Sequence, residues 1–481
     1  MSPRRWLLAD QLGPHFLDGK DQQVLLIEVK ALFRRRRMHR QKAHLMLSAL
    51  RHRAAELGER ALLMRTETFR EALARVNEQI EVCHPPSRAA LRFARTVDGL
   101  AVLPPRGFVT SFEEFADWAD GSRRGPLRMA EFYRYARESH GVLADASHAG
   151  SASRVLPAAR RTVPAPPPIE EDDIDAQVRR DLDQWVSEGI RFIGRDAPRA
   201  YPATFAEADA RLRHFLEHRL AGYDTREQMS GRNPMVASSG LSSSFNMGLL
   251  DPNHAIRQAE AAGTAGTAPW SAVAAFVRQL LGWREFLWQL YWYFEPAYRS
   301  PNWLAATKPI PDWFAELDAD AVQARCLAGV LGEVRDRGWA NQTQRLLVLG
   351  NYALQRGWRP AELVDWFQRC FVDGTDWVMN ATVIGMSQYA DLARIDTRAY
   401  AADGRHIETI SDYCGACRYH PAHELGDSAC PYTAGLTAFV HRNADRLRGT
   451  PAPALTAPRL VDVEHRDAVL VQEDKRGDAA P

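Results

Sequence analysis

Three of the six cysteines of this 481-residue chain lie close together in the stretch SDYCGACRYHPAHELGDSACPYT. Cys414 and Cys417 form a C-x-x-C pair, and Cys430 follows directly before a proline. A C-x-x-C pair supplies two ligands of a tetrahedral zinc site, which His420 or His423 could complete. A four-iron cluster would instead require a fourth thiolate from elsewhere in the chain. The spacing alone therefore leaves zinc, an iron–sulfur cluster and metal-free thiols open.

The composition limits the compartment in which these cysteines function. Hydrophobic residues make up 46% of the chain and charged residues 25%, and no apolar run approaches the roughly 18 residues of a membrane span. The start, MSPRRWLLADQLGPHF, has too short an apolar stretch for a secretory signal. We therefore expect a cytoplasmic protein with no membrane contact, whose cysteines are ligands or free thiols. The net charge of +1 restricts any nucleic-acid contact to a local patch.

Polar residues inside aromatic helices form a second candidate site. Ten of the thirteen tryptophans lie between residues 270 and 377. Helical spacing is predicted for FVRQLLGWREFLWQLYWYFEPAY, QRLLVLGNYALQ and DWVMNATVIGMSQYA, which contain Arg284, Glu285, Asn351 and Asn380. Aromatic residues at this spacing are commonly core packing. A buried charge or amide nevertheless needs a polar partner, and a large polar ligand would supply one.

The N-terminal part of the chain, which belongs to the scaffold that must position these residues, has an α/β pattern. The first 105 residues alternate apolar strands with amphipathic helices, which is typical of a doubly wound, Rossmann-like domain. The predicted strands are residues 5–10, 24–29, 61–66, 80–85 and 99–104. No G-x-G-x-x-G follows the first strand, so the ordinary dinucleotide-binding motif is absent.

The rest of the chain has a different organisation. We predict an α/β domain over residues 1–140 and an Ala/Ser/Pro-rich inter-domain linker over residues 141–175. Residues 176–448 have almost continuous 3.6-residue periodicity and are predicted to form a large all-α domain. The Pro/Ala-rich and then charged end, residues 449–481, is expected to be a disordered tail.

Several motifs together resemble those of a known family: S-x-L-S…N-x-G, GWREF, QRL-x-VLGN, GMSQ-x-AD and SDYCGACRY…ACPYTA. Over residues 4–448 the chain resembles the photolyase/cryptochrome superfamily, in particular its bacterial iron–sulfur branch of prokaryotic (6-4) photolyases, bacterial cryptochromes and deoxyribodipyrimidine photolyase-related proteins. The resemblance implies blue-light-driven repair of UV pyrimidine photoproducts of the (6-4) type in DNA, by electron transfer from reduced FAD. The lesion would be flipped out of the duplex to reach the flavin. UV-damaged DNA is the implied partner, no protein partner is implied, and we expect a monomer.

The resemblance also implies three cofactors. A 4Fe–4S cluster would be held by Cys326, Cys414, Cys417 and Cys430. Non-covalent FAD would lie in the helical domain, and an antenna chromophore of the ribityllumazine type would lie in the first domain near Asp10 and Glu28.

The resemblance matches individual positions of the family's flavin site to residues of this chain. The loop on the phosphate side of FAD corresponds to Ser239, Leu241, Ser242 and Asn246. The helix that faces flavin and substrate corresponds to Gln279, Trp283, Arg284 and Glu285, with Asn351 on the opposing helix, and Glu285 is expected to be catalytic. Trp366 matches the position of an electron-donating tryptophan.

The sequence departs from the family where proton transfer is expected. The His-His pair that precedes QRL in the family is Asn341-Gln342 here, and an amide cannot act as a general acid near neutral pH. The asparagine near the flavin N5 is replaced by Thr382, although Asn380 lies two residues away. Further departures are Gly240 for an arginine and Leu392 and Ala393 for a glycine pair.

These departures leave three functional hypotheses. The first is a photolyase that tolerates the substitutions, and the second is a cryptochrome-like blue-light or redox sensor that has lost repair. The third is a nucleic-acid-binding protein in which the cluster is structural and FAD binding is weak or lost.

Overall fold

The computed structural model describes residues 3–122, 126–144, 164–223, 229–231, 235, 238–294, 296–395, 400–448 and 463–481. The first domain is built on a five-stranded parallel sheet, with strands β1 Arg4–Leu7, β2 Val24–Val29, β3 Ala61–Thr66, β4 Ile80–Cys83 and β5 Leu100–Leu103. The strand order is β3-β2-β1-β4-β5, which confirms the predicted doubly wound α/β fold. The order reverses between β1 and β4, and the carboxyl ends of strands at such a point form a ligand-binding crevice.

Four of the six helices that the structure describes in the first domain begin with a side-chain cap. The six helices are Lys30–Arg35, Arg40–Leu57, Phe69–Ala74, Arg88–Ala94, Phe112–Gly121 and Met129–His140. Thr68 and Ser87 accept a hydrogen bond from a backbone N–H in the first turn of their helices. Ser111 and Glu114 form a reciprocal capping box. Such caps satisfy N–H groups that a helix leaves without a partner, so local sequence defines these helix starts.

The second domain is helical, as predicted. Its helical segments are Asp173–Ser187, Phe205–His218, Ser242–Asn246, Pro252–Thr264, Trp270–Val277, Arg278–Arg284, Glu285–Tyr293, Asp312–Ala315, Arg325–Arg337, Gln342–Gln344, Arg345–Gly350, Asn351–Arg356, Pro360–Cys370, Asp376–Met379, Asn380–Ser387, Gly404–Ile410, Pro431–Arg442, Ala444–Leu447 and Val463–Arg476. Short 3₁₀ turns lie at Pro14–Phe16, Gly58–Arg60, Leu220–Gly222, Pro296–Arg299, Ala319–Ala321 and Cys414–Ala416.

The three aromatic helices each contain a π-helical segment. The segments are Arg278–Arg284 within the 270–293 helix, Arg345–Gly350 within the 342–356 helix and Asn380–Ser387 at the end of the 376–387 helix. A π-helical turn holds more residues than an α-helical turn, so it changes which side chains share a face, and it occurs frequently at functional sites. The three helices pack against one another in the main hydrophobic core, which extends into the first domain.

The C-terminal part of the chain corrects one prediction. Residues 145–163 of the predicted linker and 449–462 of the predicted tail lie outside the described residues, but Val463–Arg476 is a helix rather than a disordered segment. Glu473 is buried and forms an ion pair of 2.6 Å with Arg356. Gln472 donates to the backbone oxygen of Glu424 at 2.9 Å. The helix is therefore ordered by tertiary partners that its polar composition does not reveal.

Three non-glycine residues in the 376–395 region, Tyr389, Leu392 and Ala393, have positive φ angles. Leu392 and Ala393 have φ values of 56° and 62°. This left-handed region favours glycine, because a side-chain Cβ crowds the backbone there. The replacement of the family's glycine pair by these two residues therefore leaves local backbone strain. Among the described residues, no helix combines the length and the apolar composition that a membrane crossing requires.

Candidate functional site

The 270–293, 342–356 and 376–387 helices enclose a cavity of about 520 Å³. This volume lies within the range of about 300–1,000 Å³ that is usual for sites of small molecules and cofactors. Most of the residues predicted for flavin and substrate line it, and they are Ser239, Ser242, Asn246, Gln279, Trp283, Arg284, Asn341, Gln342 and Thr382. The structure therefore brings together side chains from four separate segments of the sequence.

A buried ion pair in this cavity was missed by the sequence analysis. Arg345 donates to Asp373 at 2.9 Å, and both side chains line the cavity. Ser242 donates its hydroxyl to the same carboxylate at 2.6 Å, and Asn246 donates to the backbone oxygen of Asp373 at 2.8 Å. Asp373 Oδ1 is buried and has no hydrogen-bond partner among the described residues. Arg345 belongs to the QRL-x-VLGN motif, so the sequence contained a signal for its role in the cavity. No motif pointed to Asp373.

Arg284 lies in the cavity wall and is held by the first domain. Its guanidinium donates to the backbone oxygen of Gly107 at 2.8 Å and stacks over the ring of Phe108 at 4.2 Å. It also lies 5.4 Å from the ring centre of Trp377. Burial lowers the pKa of Arg284 to about 10, while the neighbouring carboxylates, chiefly Glu285, oppose that change. The side chain therefore remains cationic at neutral pH.

Glu285, predicted to be catalytic, lies outside the cavity lining. Its Oε1 accepts hydrogen bonds from the backbone N–H groups of Val109 and Thr110, at 3.0 and 2.9 Å. The side chain is fully buried, and burial raises its pKa to about 7 against the opposing effect of these hydrogen bonds. Glu285 therefore connects the 270–293 helix to the loop after β5, and this contact fixes how the two domains meet.

The Asn341-Gln342 pair lies at the start of the 342–356 helix. The Asn341 side chain accepts from the N–H of Gln344 at 2.9 Å, and the Gln344 side chain accepts from the N–H of Asn341 at 2.8 Å. Asn341 is thus buried as a helix cap, whereas Gln342 is exposed and lines the cavity. Both amides line the cavity, and Gln342 is the more exposed of the two.

Three further predicted residues lie outside the cavity lining. Leu241 is buried in the core. Asn351 binds the backbone of Ala402, donating to its oxygen at 2.9 Å and accepting from its N–H at 3.2 Å. Trp366 donates to the backbone oxygen of Phe314 at 3.2 Å and packs on that ring, with centroids 4.5 Å apart. These contacts occupy the polar atoms of Asn351 and Trp366 within the protein.

Other tryptophans line the cavity instead. Trp339 and Trp377 lie in its wall, in addition to the predicted Trp283. Trp377 contacts Trp288 edge-on with ring centroids 5.8 Å apart, and Trp288 contacts Trp292 at 5.6 Å. Thr382, at the position of the family's asparagine, donates its hydroxyl to the backbone oxygen of Val378 at 2.8 Å. Asn380 is absent from the lining, so it does not take the place of Thr382 there.

The four predicted cluster cysteines come together around one small pocket. Cys326, Cys414, Cys417 and Cys430 all line it. In a tetrahedral zinc site, Zn–S bonds of about 2.3 Å place the sulfurs about 3.8 Å apart. In the described part of the chain, no three cysteine sulfurs lie within 4.8 Å of one another. A single tetrahedral zinc ion would therefore require its sulfurs to lie closer together than any three of these sulfurs do in this structure.

The chemistry of this donor set also fits a metal cluster. Burial, together with the neighbouring thiols of Cys430 and Cys417, raises the pKa of Cys414 to about 12. Thiolates are the form that binds metals, so a metal bound here would have to stabilise them with its positive charge. The two alternative histidine ligands, His420 and His423, do not line the pocket; they stack on each other with ring centroids 4.1 Å apart.

A second large cavity, of about 600 Å³, lies at the carboxyl ends of β1 and β4. Asp10 and Glu28 line it, as predicted for the antenna site. Burial raises the pKa of Asp10 to about 7, and its Oδ1 has no hydrogen-bond partner among the described residues. Glu28 is paired with Arg51 at 2.7 Å. Asn246 lines both cavities, so they share a wall.

Comparisons with known proteins agree with this architecture. A family model described as deoxyribodipyrimidine photo-lyase-related protein matches residues 5–190. A protein of Agrobacterium fabrum named (6-4) photolyase is 32% identical, and the match covers 97% of both chains. A solved class III photolyase from Agrobacterium tumefaciens has a TM-score of 0.52 at 15% identity, covering 81% of this chain and 80% of that one. A Synechocystis cryptochrome gives a TM-score of 0.54 at 15% identity, covering 80% of this chain and 82% of that one.

Proposed function

Because the chain belongs to the photolyase-related family, we propose that it is a DNA photolyase that uses blue light to repair UV pyrimidine photoproducts of the (6-4) type. The relative named (6-4) photolyase, which matches nearly the whole chain, supports this proposal. The corresponding partner is UV-damaged DNA, and the corresponding protein is a cytoplasmic monomer.

The observation that carries the proposal is the polar cavity among the three aromatic helices. It combines a cofactor-sized volume with the buried Arg345–Asp373 pair and with the cationic Arg284. A volume of this size in a helical core needs a ligand to satisfy buried polar atoms such as Asp373 Oδ1. FAD has both the diphosphate and the polar ring edge that such a site can bind.

The residues that would hold FAD divide into two groups. Ser239 and Arg345 offer hydroxyl and guanidinium donors to the diphosphate, and Ser242, whose hydroxyl donates to Asp373, lies beside them. Arg284 and Gln279 offer donors on the opposite wall, beside Trp283. When bound, reduced FAD supplies one-electron transfer to the lesion after it absorbs blue light. The aromatic walls of the cavity would exclude water and stack against a flipped base, as in other enzymes that act on bases.

We further propose that Cys326, Cys414, Cys417 and Cys430 hold a 4Fe–4S cluster. The convergence of all four cysteines on one pocket supports a metal site, and the family resemblance favours a cluster over zinc. Cys83 and Cys370 are buried elsewhere and would remain free thiols.

The 600 Å³ cavity is the proposed antenna site, and a ribityllumazine is the proposed chromophore class. The unpartnered Asp10 carboxyl can bind a ring N–H group of such a ligand. The wall that this cavity shares with the first one would keep the two chromophores close.

The second candidate function is a cryptochrome-like sensor, and Gln342 is the observation that favours it. Gln342 is the more exposed member of the cavity-lining pair that replaces the two histidines. Its amide can donate a hydrogen bond to a lesion but cannot transfer a proton at neutral pH. The substitution therefore removes the group expected to protonate a (6-4) photoproduct.

Cofactor analysis separates these functions. We expect the purified protein to contain one FAD and four iron atoms per chain, and its flavin to become reduced under blue light with a thiol reductant. Flavin reduction without repair of damaged DNA would favour the sensor. Iron without flavin would contradict both and would leave a nucleic-acid-binding protein with a structural cluster.

A further inference from the structure

A third cavity, of about 240 Å³, lies near the carboxyl end of the 342–356 helix. It is bounded by residues 302–308, by that helix end and by the Pro431–Arg442 helix, and it shares no lining residue with the 520 Å³ cavity. Four basic residues line it, namely Lys308, Arg356, Arg442 and Arg446, and no carboxylate does. None of the family motifs includes these four residues.

The positive charges around this cavity are only partly balanced. Arg356 is paired with Glu473 at 2.6 Å, and Lys308 lies 3.8 Å from Asp478. Neither Arg442 nor Arg446 forms an ion pair with a carboxylate of the described residues. Arg442 instead donates to the backbone oxygen of Gln355. Arg442 and Arg446 therefore line the cavity without a direct ion pair to a described carboxylate, although Asp474 and Glu473 lie close enough to Arg442 to act on it electrostatically.

Two local features add to this imbalance. Burial lowers the pKa of Arg442, and the positive charge of Arg356 lowers it further, against the opposing charges of Asp474 and Glu473. Arg356 is 5% exposed, and its Nε is a buried donor with no acceptor among the described residues. An anion in the cavity would reduce the repulsion between the two guanidinium groups and would provide an acceptor.

We propose that this cavity is a phosphate-binding site in which Arg442, Arg446 and Lys308 hold the anion. Guanidinium groups suit phosphate because their planar N–H pairs match two phosphate oxygens. The volume lies below the range of about 300–1,000 Å³ for sites of larger ligands, so it fits a phosphate or diphosphate group rather than a whole flavin. The group comes either from a free ion or from the backbone of bound DNA.

The test is calorimetric titration of the flavin-loaded protein with inorganic diphosphate at constant ionic strength. The Arg442→Gln/Arg446→Gln double variant removes two of the proposed ligands. Arg448→Gln is the matched control, because Arg448 is 79% exposed and pairs with Asp445. We expect one saturable site in the wild type and the control, and at least a tenfold weaker affinity in the double variant. Equal affinity in the double variant, or no saturable site in the wild type, would overturn the proposal.

Two additions identify the source of the phosphate and separate this site from the flavin site. A short undamaged duplex that competes with diphosphate would assign the site to the DNA backbone, whereas unchanged diphosphate binding would assign it to a free ion. If the protein purifies without flavin, the titration is repeated on Arg345→Gln protein, which weakens phosphate binding in the first cavity only. The phosphate site is then tested even if the proposed flavin function fails.

Discussion

At the scale of single residues, motif matching and geometry disagree most at Glu285. This residue lies inside GWREF, where the family resemblance predicts a catalytic side chain, but its carboxylate binds two backbone N–H groups of the first domain. Arg284, the preceding residue, does line the cavity. Neighbouring residues on a helix point in directions about 100° apart, so a motif locates a helix more reliably than it assigns each side chain.

Substitution of Glu285 should change how stability depends on pH. The pKa of Glu285 is raised from 4.5 to about 7 in the folded protein. The folded state therefore binds a proton more tightly than the unfolded state, and the associated stability is present below pH 4.5 and lost as pH rises through 7. We expect Glu285 to lower the free energy of unfolding of the wild type by up to about 3 kcal/mol as pH rises, and we expect the Glu285→Gln variant to lack this decrease. Urea unfolding at pH 5, 6.5 and 8 measures it.

The control for this experiment is Glu59→Gln, at an exposed position. Asp10 and Glu333 also have pKa values raised to about 7, so they contribute to the pH dependence of wild-type stability. Their contributions cancel when the stability of the Glu285→Gln variant is subtracted from that of the wild type at each pH. Parallel pH profiles for Glu285→Gln and the wild type would show that the carboxyl is not buried in the folded protein.

Replacement of Gln342 should restore proton transfer. An imidazole at this exposed position of the cavity wall has an ordinary pKa near 6.5 and can act as a general acid. Positioned acids contribute about 10²–10⁴ in rate, so we expect Gln342→His to increase (6-4) repair at least about tenfold. The increase should fall above pH 7 as the imidazolium loses its proton. Gln342→Asn is the control, and an equal rate in all three proteins would mean that proton transfer at residue 342 does not limit repair.

Cysteine substitutions test the proposed cluster. Cys326→Ala removes one of the four ligands, and we expect the iron content to fall to near zero because cluster assembly needs all four thiolates. Cys370→Ala is the matched control, since Cys370 is also fully buried but does not line the pocket. Iron per protein chain, measured by chelator colorimetry, is the readout. Full iron content in Cys326→Ala would contradict the assignment.

At the scale of elements, the parallel sheet was predictable and the directions of the cavity side chains were not. β2, VLLIEV, is buried along its whole length, and this continuous apolar run is what predicted a strand covered on both faces. In the aromatic helices, extrapolation of 3.6-residue spacing fails across the π-helical segments, because the face changes there. Asn351 follows directly after such a segment and points away from the cavity.

The C-terminal helix shows a second limit of sequence analysis. Its order depends on the buried pair of Glu473 with Arg356, more than a hundred residues away in the sequence. We expect Glu473→Gln to destabilise the protein by about 3–5 kcal/mol, because it leaves the Arg356 charge buried without a counter-charge. Glu464→Gln, at an exposed position of the same helix, is the control. Equal free energies of unfolding in urea for the two variants would contradict a structural role for the pair.

At the scale of the whole molecule, the two domains form one functional unit. Phe108, in the loop after β5, stacks on Trp288 with ring centroids 4.0 Å apart and lies under Arg284. The first domain thereby orients a cavity side chain of the second. The two larger cavities meet at Asn246, so the proposed antenna and flavin sites are separated only by a shared wall.

The most direct test of the central claim is repair of an oligonucleotide that carries one (6-4) photoproduct, with purified and photoreduced protein. Equal samples are kept under blue light and in the dark, and the restored bases are quantified by chromatography. The proposed function predicts restoration in the light only, at a rate that Gln342→His increases. No restoration in the light, by wild-type and Gln342→His protein that both contain reducible flavin, would contradict a repair function and favour the sensor.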